Sequence, residues 1–474
     1  MNIKLKKSTK IALIFLSICT LSLFGAIYFW KGSQTQQKPD SQISGVPKEG
    51  SIPDISVILG RVTKNSITFN ILSPNNIELS ILFGIAQGPY NNQKSGISAK
   101  AGIPLEIELN DLKPDAQYYY KIQSKPDSEN KVQLAKEGNF HTTRMVGSSF
   151  VFAVQADPHL DEQSDPETYN QTLKNILKDN PDFLIDLGDN FMTDKLPEKS
   201  ETKIKSRYLL MRDFYDSIIY SIPLFLTLGN HEGEAGWDFN NSKSNLALLS
   251  HQNRLSYYPN PYPNSFYSGN LQKEDNQFLE DYYAFEWSDA LFVILDPYRY
   301  TEKKPNSNGW EWTLGKEQYD WLKATLEKSK AKYKFVFIHQ LVGGDDQGRG
   351  GVEFAKYYEW GGNNLDGSYG FKLNRPSWEK PIHQLLTDNK VDVVFKGHDH
   401  FFAKQELDGI IYQTLPQPSH PGDKVNTAEE YGYRSGEIIG GSGYLRVVVS
   451  NSKTTVQFVK ANTKQEVAYS YDLK

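Results

Sequence analysis

The sequence predicts a mixed α/β domain in the larger, C-terminal part of the chain, preceded by a small all-β region and an N-terminal membrane segment. Three observations predict this order: a basic and then apolar start, short alternating apolar runs up to about residue 143, and buried strand patterns alternating with helical ones from residue 149 onward. At 474 residues the chain is longer than one core usually supports. The predicted boundaries are residues 1–30 for the signal or anchor segment, 31–51 for a flexible linker, 52–146 for the β-sandwich and 147–474 for the α/β domain.

The first element is a targeting segment. Lysines at positions 4, 6, 7 and 10 precede a mostly apolar stretch, residues 11–30, which is long enough to cross a bilayer. No small-residue cleavage site is evident near Gly25 and Ala26, so an uncleaved anchor is favoured over a cleaved signal peptide. The lysines predict that the N-terminus is cytoplasmic and that the rest of the chain is extracytoplasmic. The protein would be anchored to the membrane by this segment, or secreted if the segment is cleaved. The linker that follows is polar and rich in Ser, Gln, Pro and Gly.

The second element is a small β-sandwich. Short runs such as "SITFNILS", "IELSILFG" and "AQYYYKIQS" alternate apolar and polar residues and are separated by turn residues, with no helical period. Residues 109–122, "LNDLKPDAQYYYKI", resemble the late strands of fibronectin type III-like domains with their tyrosine corner.

From residue 149 onward the pattern changes to that of an α/β domain. Strands are predicted within "SFVFAVQADPH", "DFLIDLGDN", "IPLFLTLGNHE", "DALFVILD", "KFVFIHQ" and "VDVVFKGHDH". Helices are predicted at residues 166–180, 315–329 and 377–389, where apolar residues recur with a helical period. Strands that alternate with helices in this way are typical of α/β sheets.

Polar residues follow strand after strand at the C-terminal end. Open α/β sheets place their ligands at these ends, so the side chains are expected to converge. They include five of the nine histidines of the chain. The residues are Asp157, His159, Asp189, Asn230, His231, His339, His398 and His400.

Carboxylate, amide and imidazole groups suit Mn, Fe, Zn and related ions. Seven of these eight residues, counted as ligands, are too many for one catalytic ion and about right for two, if one carboxylate bridges them. Two ions roughly 3.5 to 4 Å apart can clamp a phosphoryl group and generate a nucleophile near neutral pH. The pattern therefore indicates hydrolysis of a phosphate ester.

The ordered set DPH, GDN, GNHE, VFIH and GHDH resembles the calcineurin-like metallophosphoesterases. The likeness extends from about residue 148 to the C terminus. It implies a four-layer α/β/β/α sandwich, and the β-sandwich in front makes the layout similar to purple acid phosphatases. Each motif alone is weak, but five in order at domain-scale spacing are specific.

The resemblance also implies roles for the residues in the motifs. Two ions, with Fe, Mn or Zn expected, would supply a hydroxide that attacks phosphorus without a covalent enzyme intermediate. His231 would face the substrate as the catalytic residue, which suits an imidazole. One site would use Asp157, His159 and His400, the other Asn230, His339 and His398, with Asp189 bridging both.

Two departures limit the likeness. Purple acid phosphatases resemble one another in having DxG where this chain has Asp157-Pro158-His159, and His159 would fill the coordination gap, as in the broader DxH group. Met192 occupies the position at which purple acid phosphatases carry a tyrosine ligand, so a ferric-tyrosinate colour is not expected. Other branches carry an aspartate there that orients the catalytic histidine. The partner of His231 is therefore left open, since Asp194 is near in sequence but out of register.

Two long, aromatic and Gly-containing segments, residues 251–270 and 343–367, are predicted to be loops that shape substrate entry. Arg349 in the second is a candidate for gripping a phosphate or another anion, with a solvent-exposed arginine as the alternative.

The prediction for function is a metal-dependent phosphatase acting on phosphate esters, with phosphomonoesters favoured. A phosphodiesterase or nucleotidase of the same superfamily is the first alternative, and a hydrolase of non-phosphate esters the second. The alternative from another class is a non-catalytic surface binding or adhesion protein. A net charge of -5 argues against a nucleic-acid-binding surface, and protein partners are not predicted.

Overall fold

The computed structural model describes residues 55–473 apart from 127–131, 240–244, 307, 346, 423–424 and 426. The predicted anchor and linker, residues 1–51, lie outside the described residues. In the part of the chain that is described, none of the helices combines the length and apolar character needed to cross a bilayer.

The strands, numbered in chain order, are β1 Ser56–Gly60, β2 Ile67–Leu72, β3 Ile77–Gly84, β4 Asn92–Ala99, β5 Leu105–Leu109, β6 Gln117–Pro126, β7 Gln133–His141, β8 Phe150–Gln155, β9 Phe183–Asp186, β10 Leu224–Leu226, β11 Ser268–Gly269, β12 Lys273–Glu274, β13 Gln277–Phe278, β14 Tyr283–Trp287, β15 Ala290–Ile294, β16 Tyr333–Ile338, β17 Val393–Lys396, β18 Phe402–Leu407, β19 Ile410–Thr414, β20 Glu437–Ile439, β21 Gly443–Val449, β22 Thr454–Lys460 and β23 Val467–Asp472. The helices are α1 Pro166–Asp179, α2 Glu201–Tyr215, α3 Leu246–Tyr257, α4 Lys316–Lys328, α5 Tyr358–Gly361, α6 Phe371–Asn374, α7 Ile382–Asp388 and α8 Thr427–Glu430.

The N-terminal β-rich region consists of two sheets, ordered β1-β2-β5 and β4-β3-β6-β7. Their apolar faces share a core in which the rings of Phe69 and Tyr120 meet edge to face, 4.8 Å apart. The backbone N–H of Lys113 donates to the Tyr118 hydroxyl at 2.8 Å, the contact that defines a tyrosine corner. A β-rich region before the α/β domain is thus confirmed, while its fibronectin type III-like assignment and the exact domain boundaries remain predictions.

The α/β part is built on two larger sheets. The first has the order β10-β9-β8-β21-β22-β23, and β8, β9 and β10 run parallel. The second has the order β11-β14-β15-β16-β17-β19-β18-β20, with β15, β16, β17 and β19 parallel. In both sheets the parallel strands lie in series, so their C-terminal ends collect at one edge.

The two sheets pack face to face through aromatic side chains. Phe152 of β8 and Phe183 of β9 lie with their ring centroids 5.1 and 5.2 Å from that of Phe292 on β15. Helices cover the outer faces: α1 lies on the first sheet, where Gln155 donates to the Tyr169 hydroxyl, and α4 and α7 cover the second. The mixed α/β architecture predicted from the strand and helix patterns is confirmed.

Helix α3 corrects one sequence prediction. Residues 251–270 were expected to be a loop, but their first seven residues belong to α3. The helix begins earlier, at Leu246, where the Asn245 side chain accepts from the Leu248 N–H at 2.7 Å. The apolar face of α3 includes buried residues before position 251, among them Leu246 and Leu249. Residues 251–270 taken alone therefore do not show the helical pattern.

Candidate metal centre

The predicted site residues lie together where the parallel strands of both sheets end. Asp157 and His159 follow β8, Asp189 follows β9, Asn230 and His231 follow β10, His339 follows β16, and His398 and His400 follow β17.

Four of these side chains form one group: Asp157, His159, Asp189 and His400. Each of its members offers a donor atom within 4.8 Å of the others. The Nε2 atom of His400 lies 3.5 Å from Asp157 Oδ1, and the Nε2 atom of His159 lies 3.4 Å from Asp189 Oδ2. This geometry offers two carboxylates and two imidazoles to a single ion.

A second group consists of Asp189, His339 and His398, whose donor atoms also lie within 4.8 Å of one another. The Nε2 atom of His339 is 3.2 Å from Asp189 Oδ2 and 3.1 Å from the amide oxygen of Asn230. Asp189 therefore belongs to both groups. Among the described residues it is the only one that the two groups share.

Hydrogen bonds on the far side of the rings set which imidazole nitrogen faces the cluster. In His339, Nδ1 lies 2.7 Å from the Leu187 carbonyl oxygen, which leaves Nε2 directed toward Asp189. In His398, Nε2 lies 3.0 Å from the Gln347 carbonyl oxygen, so Nδ1 is the free nitrogen. Such outer contacts are the usual means of fixing the tautomer of a metal-binding histidine.

Two buried polar atoms at the centre have no hydrogen-bond partner in the described part of the chain. Asp189 Oδ1 accepts from the His231 backbone N–H at 2.8 Å, but Asp189 Oδ2 and His159 Nε2 have no hydrogen-bond partner among the described residues. Buried polar atoms are almost always paired. Unpaired carboxylate and imidazole donors that face each other at 3.4 Å fit a cation such as Mn, Fe or Zn.

The electrostatics favour the same interpretation. Burial raises the pKa of the Asp189 carboxyl, but the His339 and His231 imidazoles outweigh this effect and hold the pKa well below its ordinary value. Burial and the charge of Arg349 lower the pKa of His398 well below its usual range. Against the effect of burial, neighbouring carboxylates raise the pKa of His339 to about 9, so a cation would compete with a proton there. Anionic carboxylates and neutral imidazoles are the forms that bind metal ions.

The backbone at the site is strained. Five residues have φ between 51° and 71°, in the left-handed region that is uncommon for residues other than glycine. Such conformations cluster at functional sites, where the surrounding structure holds them. They occur at Asp157, His159, Asp189, His398 and His400.

Close packing holds two of the loops together. Gly188 and Gly229 pack so tightly that a Cβ atom on either would collide with the backbone of the other loop. The buried carboxylate of Glu232 accepts backbone N–H groups from Asp189 at 2.9 Å and Asn190 at 2.6 Å, and also from Gly229. Glu232 thus joins the loop after β9 to the loop after β10.

His231 has a carboxylate partner that the sequence did not reveal. Its Nδ1 atom lies 2.9 Å from both carboxylate oxygens of Asp194, while its Nε2 atom lies 3.9 Å from Asp189 Oδ2. The expectation that Asp194 is out of register is wrong. Met192 adopts a left-handed conformation and is followed by a single 3-10 turn, Thr193–Lys195, which turns the Asp194 side chain toward the imidazole.

A cleft of about 520 Å³ opens beside His231, Asn230 and His398. Arg349 lies in its wall and donates to the His398 carbonyl oxygen at 2.6 Å, so it is held in place rather than free in solvent. Other lining residues include Lys199, Trp237, Lys304 and Trp312.

Residues 251–270 do not line this cleft, contrary to the prediction for that segment. They lie against the β-rich region instead, where Tyr267 donates to the Val62 carbonyl oxygen and Pro259 packs on Gly60. Their aromatic content therefore serves packing between the two regions.

Comparison with known proteins agrees with this geometry. A family model for calcineurin-like phosphoesterases matches residues 150–402. No curated protein matches the chain significantly. Among solved structures, one named PhoD is similar with a TM-score of 0.64 at 14% identity, over 88% of this chain and 89% of that one. A purple acid phosphatase from yellow lupin (Lupinus luteus) seeds is similar with a TM-score of 0.59 at 15% identity, over 88% of this chain and 73% of that one.

At these identities the two solved structures are evidence of a shared fold. The family model covers more than half of the chain and includes every strand end that carries a candidate ligand. The chain belongs to the calcineurin-like phosphoesterase family and is a metal-dependent phosphoesterase.

Proposed function

We propose that the protein is a phosphomonoesterase that uses a dinuclear metal centre. The observation that carries the proposal is the pair of donor groups that share Asp189. Two ions held there would neutralise phosphoryl charge and lower the pKa of water. The proposed ligands of one ion are Asp157, His159, Asp189 and His400, and those of the other are Asp189, Asn230, His339 and His398.

His231 is the proposed catalytic residue. It lines the cleft beside the two donor groups, and Asp194 holds its Nδ1 atom. The ring is therefore oriented with Nε2 toward the place where the phosphoryl group would bind. From there Nε2–H can stabilise a phosphoryl oxygen or protonate the departing alcohol, and positioned imidazoles typically contribute about 10²- to 10⁴-fold to rate.

The charge of the cleft favours monoesters. Four cationic side chains line it, Lys195, Lys199, Lys304 and Arg349, against the two carboxylates Asp194 and Asp238. A phosphomonoester carries close to two negative charges near neutral pH and a diester carries one. The excess of positive charge in the cleft therefore favours binding of the dianionic monoester over the singly charged diester.

The test is an assay of the full chain loaded with Mn, Fe or Zn. Hydrolysis of 4-nitrophenyl phosphate, bis(4-nitrophenyl) phosphate and 4-nitrophenyl acetate is compared by kcat/KM. The monoester is expected to be the best substrate. A higher kcat/KM for the diester would mean that the protein is a phosphodiesterase. Hydrolysis of the acetate alone, or of none of the three esters, would overturn the proposal.

We also propose that the catalytic part lies outside the cytoplasm, tethered by residues 11–30. The support is the lysine-flanked apolar stretch in the sequence. Protease added to intact cells should digest the catalytic part of the full chain. Protection of that part until the cells are lysed would contradict this location.

A further inference from the structure

Two buried N–H donors line the cleft without a hydrogen-bond partner among the residues that the structure describes. They are the indole Nε1 of Trp312 and the side-chain amide Nε2 of Gln340. Trp312 is 5% exposed and Gln340 is 0% exposed, so both side chains are shielded from bulk solvent. Unpaired buried donors are rare because each costs free energy. Two of them in one cleft indicate an acceptor that arrives with a ligand.

The surroundings fix the amide orientation of Gln340. The Tyr298 hydroxyl donates to Gln340 Oε1 at 3.0 Å, so the oxygen is occupied and the NH₂ group remains. Gly348, at φ 82°, lies directly against this amide, and a Cβ atom there would collide with Nε2. Gly348 thus packs against the NH₂ group of Gln340 but does not accept a hydrogen bond from it.

The outer part of the same cleft is cationic. Lys199 and Lys304 are exposed there, and neither forms an ion pair among the described residues; Lys199 donates only to the Leu196 carbonyl oxygen, at 3.2 Å. The half-buried ring of Trp237 forms part of the wall and meets Trp312 edge to face, 5.8 Å between centroids. A cleft of about 520 Å³ takes a molecule much larger than inorganic phosphate.

We infer that this part of the cleft selects phosphomonoesters whose leaving alcohol carries a second anionic group, a carboxylate or another phosphate. Trp312 and Gln340 donate hydrogen bonds to that group, and Lys199 and Lys304 attract it. The inference rests on the proposed phosphomonoesterase function and adds the substrate class. It assigns specificity to residues outside the two groups of metal donors.

A matched pair of substrates tests it. 3-Phosphoglycerate and glycerol 3-phosphate are both esters of primary alcohols and differ by a carboxylate in place of a hydroxymethyl group. The metal-loaded full chain should prefer 3-phosphoglycerate in kcat/KM by about tenfold or more, the size expected for a hydrogen bond to a charged group. Trp312→Phe keeps an aromatic ring but removes the donor, and should lower kcat/KM for 3-phosphoglycerate about tenfold more than for glycerol 3-phosphate.

A second variant tests the cationic part without disturbing the core. Lys199→Ala combined with Lys304→Ala should reduce the preference and its dependence on salt, because exposed charges are screened by ions. Lys178→Ala, an exposed lysine at the far end of α1, and Trp378→Phe, a buried tryptophan away from the cleft, are the matched controls and should leave the preference unchanged.

The outcomes separate the two proposals. If neither 3-phosphoglycerate, glycerol 3-phosphate nor 4-nitrophenyl phosphate is hydrolysed, the phosphomonoesterase function is overturned. If both three-carbon esters are hydrolysed with equal kcat/KM, or the cleft variants lower both alike, the substrate-class inference alone is overturned.

Discussion

His398 and His400 are two residues apart but do not form a chelating pair. Both have left-handed backbone conformations, with φ of 71° and 69°, and their side chains enter different donor groups. Asp399 between them points away into the core, where its Oδ2 atom lies 2.6 Å from the Lys396 ammonium and accepts from the Tyr433 hydroxyl at 2.6 Å. A buried ion pair thus holds the turn that separates the two imidazoles.

This geometry makes a prediction about metal content. His398→Ala and His400→Ala should each lower it from about two ions per chain to about one, measured by plasma mass spectrometry. Because His159 belongs to the same group as His400, adding His159→Ala to His400→Ala should cost no further ion. Combining the His398 and His400 changes should remove both.

His383→Ala serves as the control, since that imidazole pairs with Asp408 far from the centre. Loss of both ions in each single variant would show one interdependent site in place of two.

The contact between Asp194 and His231 predicts a graded effect on catalysis. His231→Ala should lower kcat about 10²- to 10⁴-fold with metal content retained. Asp194→Asn keeps an acceptor for Nδ1 but removes the charge, so a smaller loss in kcat, about tenfold, is expected, with an altered pH–rate profile and little change in KM. Asp408→Asn, which alters the matched carboxylate beside His383, should change neither quantity.

If Asp194→Asn leaves both kcat and the pH–rate profile unchanged, Asp194 does not position the catalytic ring. If His231→Ala also removes metal, His231 is a ligand.

Glu234 predicts a pH dependence of stability. Burial raises the pKa of its carboxyl, but Arg254, which donates from Nε and Nη2 at 2.7 and 2.9 Å, outweighs burial and lowers the pKa to about 2. A carboxyl whose pKa is lower in the folded than in the unfolded state stabilises the fold above its unfolded pKa. That stabilisation, roughly 3 kcal/mol, should be lost as pH falls from about 4.5 toward 2.

Comparison of the wild-type chain with Glu234→Gln by denaturant unfolding between pH 7 and 3 measures this. The difference in free energy of unfolding should be largest at pH 7 and shrink toward pH 3. Parallel profiles would assign the pH dependence to other groups.

At the scale of elements, helix α2 connects the β-rich region to the metal centre. Arg207 on one turn donates to the carbonyl oxygens of His159 and Phe191, both at 2.8 Å, and so holds two of the site loops. Arg212 on a later turn is fully buried and donates to Asn70 of β2 and to Ser56 of β1. One rigid helix thus contacts both parts.

Arg212 should matter for stability more than for chemistry. All its acceptors are neutral oxygens, including the Tyr257 carbonyl at 2.6 Å, and burial lowers its pKa only to about 10, so it stays charged at neutral pH. Arg212→Met keeps the volume but leaves these acceptors unpaired, and should cost about 3 kcal/mol or more in free energy of unfolding. Thermal and denaturant unfolding measure the cost.

The exposed Arg434→Met is the control and should change stability by less than about 0.5 kcal/mol. Metal content of the folded Arg212→Met protein should stay unchanged. An effect no larger than that of the control would mean that the contact does not join the two regions energetically.

At the scale of the whole molecule, the centre exists because two sheets present their strand ends at one edge. Asp157, Asp189 and His231 come from the first sheet, and His339, His398 and His400 from the second. The cleft lies at the same edge, and its walls come from loops of both halves. Neither sheet alone holds a complete donor group, because each group draws on both.

Some elements were accessible from the sequence and others were not. β8, β9, β16 and β17 are short apolar runs that end in chemically distinctive residues, so their positions and their metal-binding potential were predictable. Strand β4 does not stand out in the sequence, because it is an exposed edge strand without apolar alternation. Helix α2 buries five consecutive residues, 208–212, one of them an arginine, in place of a simple apolar stripe, which hides its amphipathic period.

The sequence by itself determined the alternation of the donor-bearing strands with helices α1, α4 and α7, the candidate donor residues at the strand ends and, through their family order, the class of reaction. These follow from local patterns, because apolar period and residue type are written along the chain. Only the tertiary structure decided which candidate donors lie together in one group, that Asp194 contacts His231, that residues 251–270 pack on the β-rich region, and that Trp312 and Gln340 line the cleft with donors unpaired among the described residues. Each of these depends on backbone turns and on contacts between residues far apart in sequence, which no local pattern records.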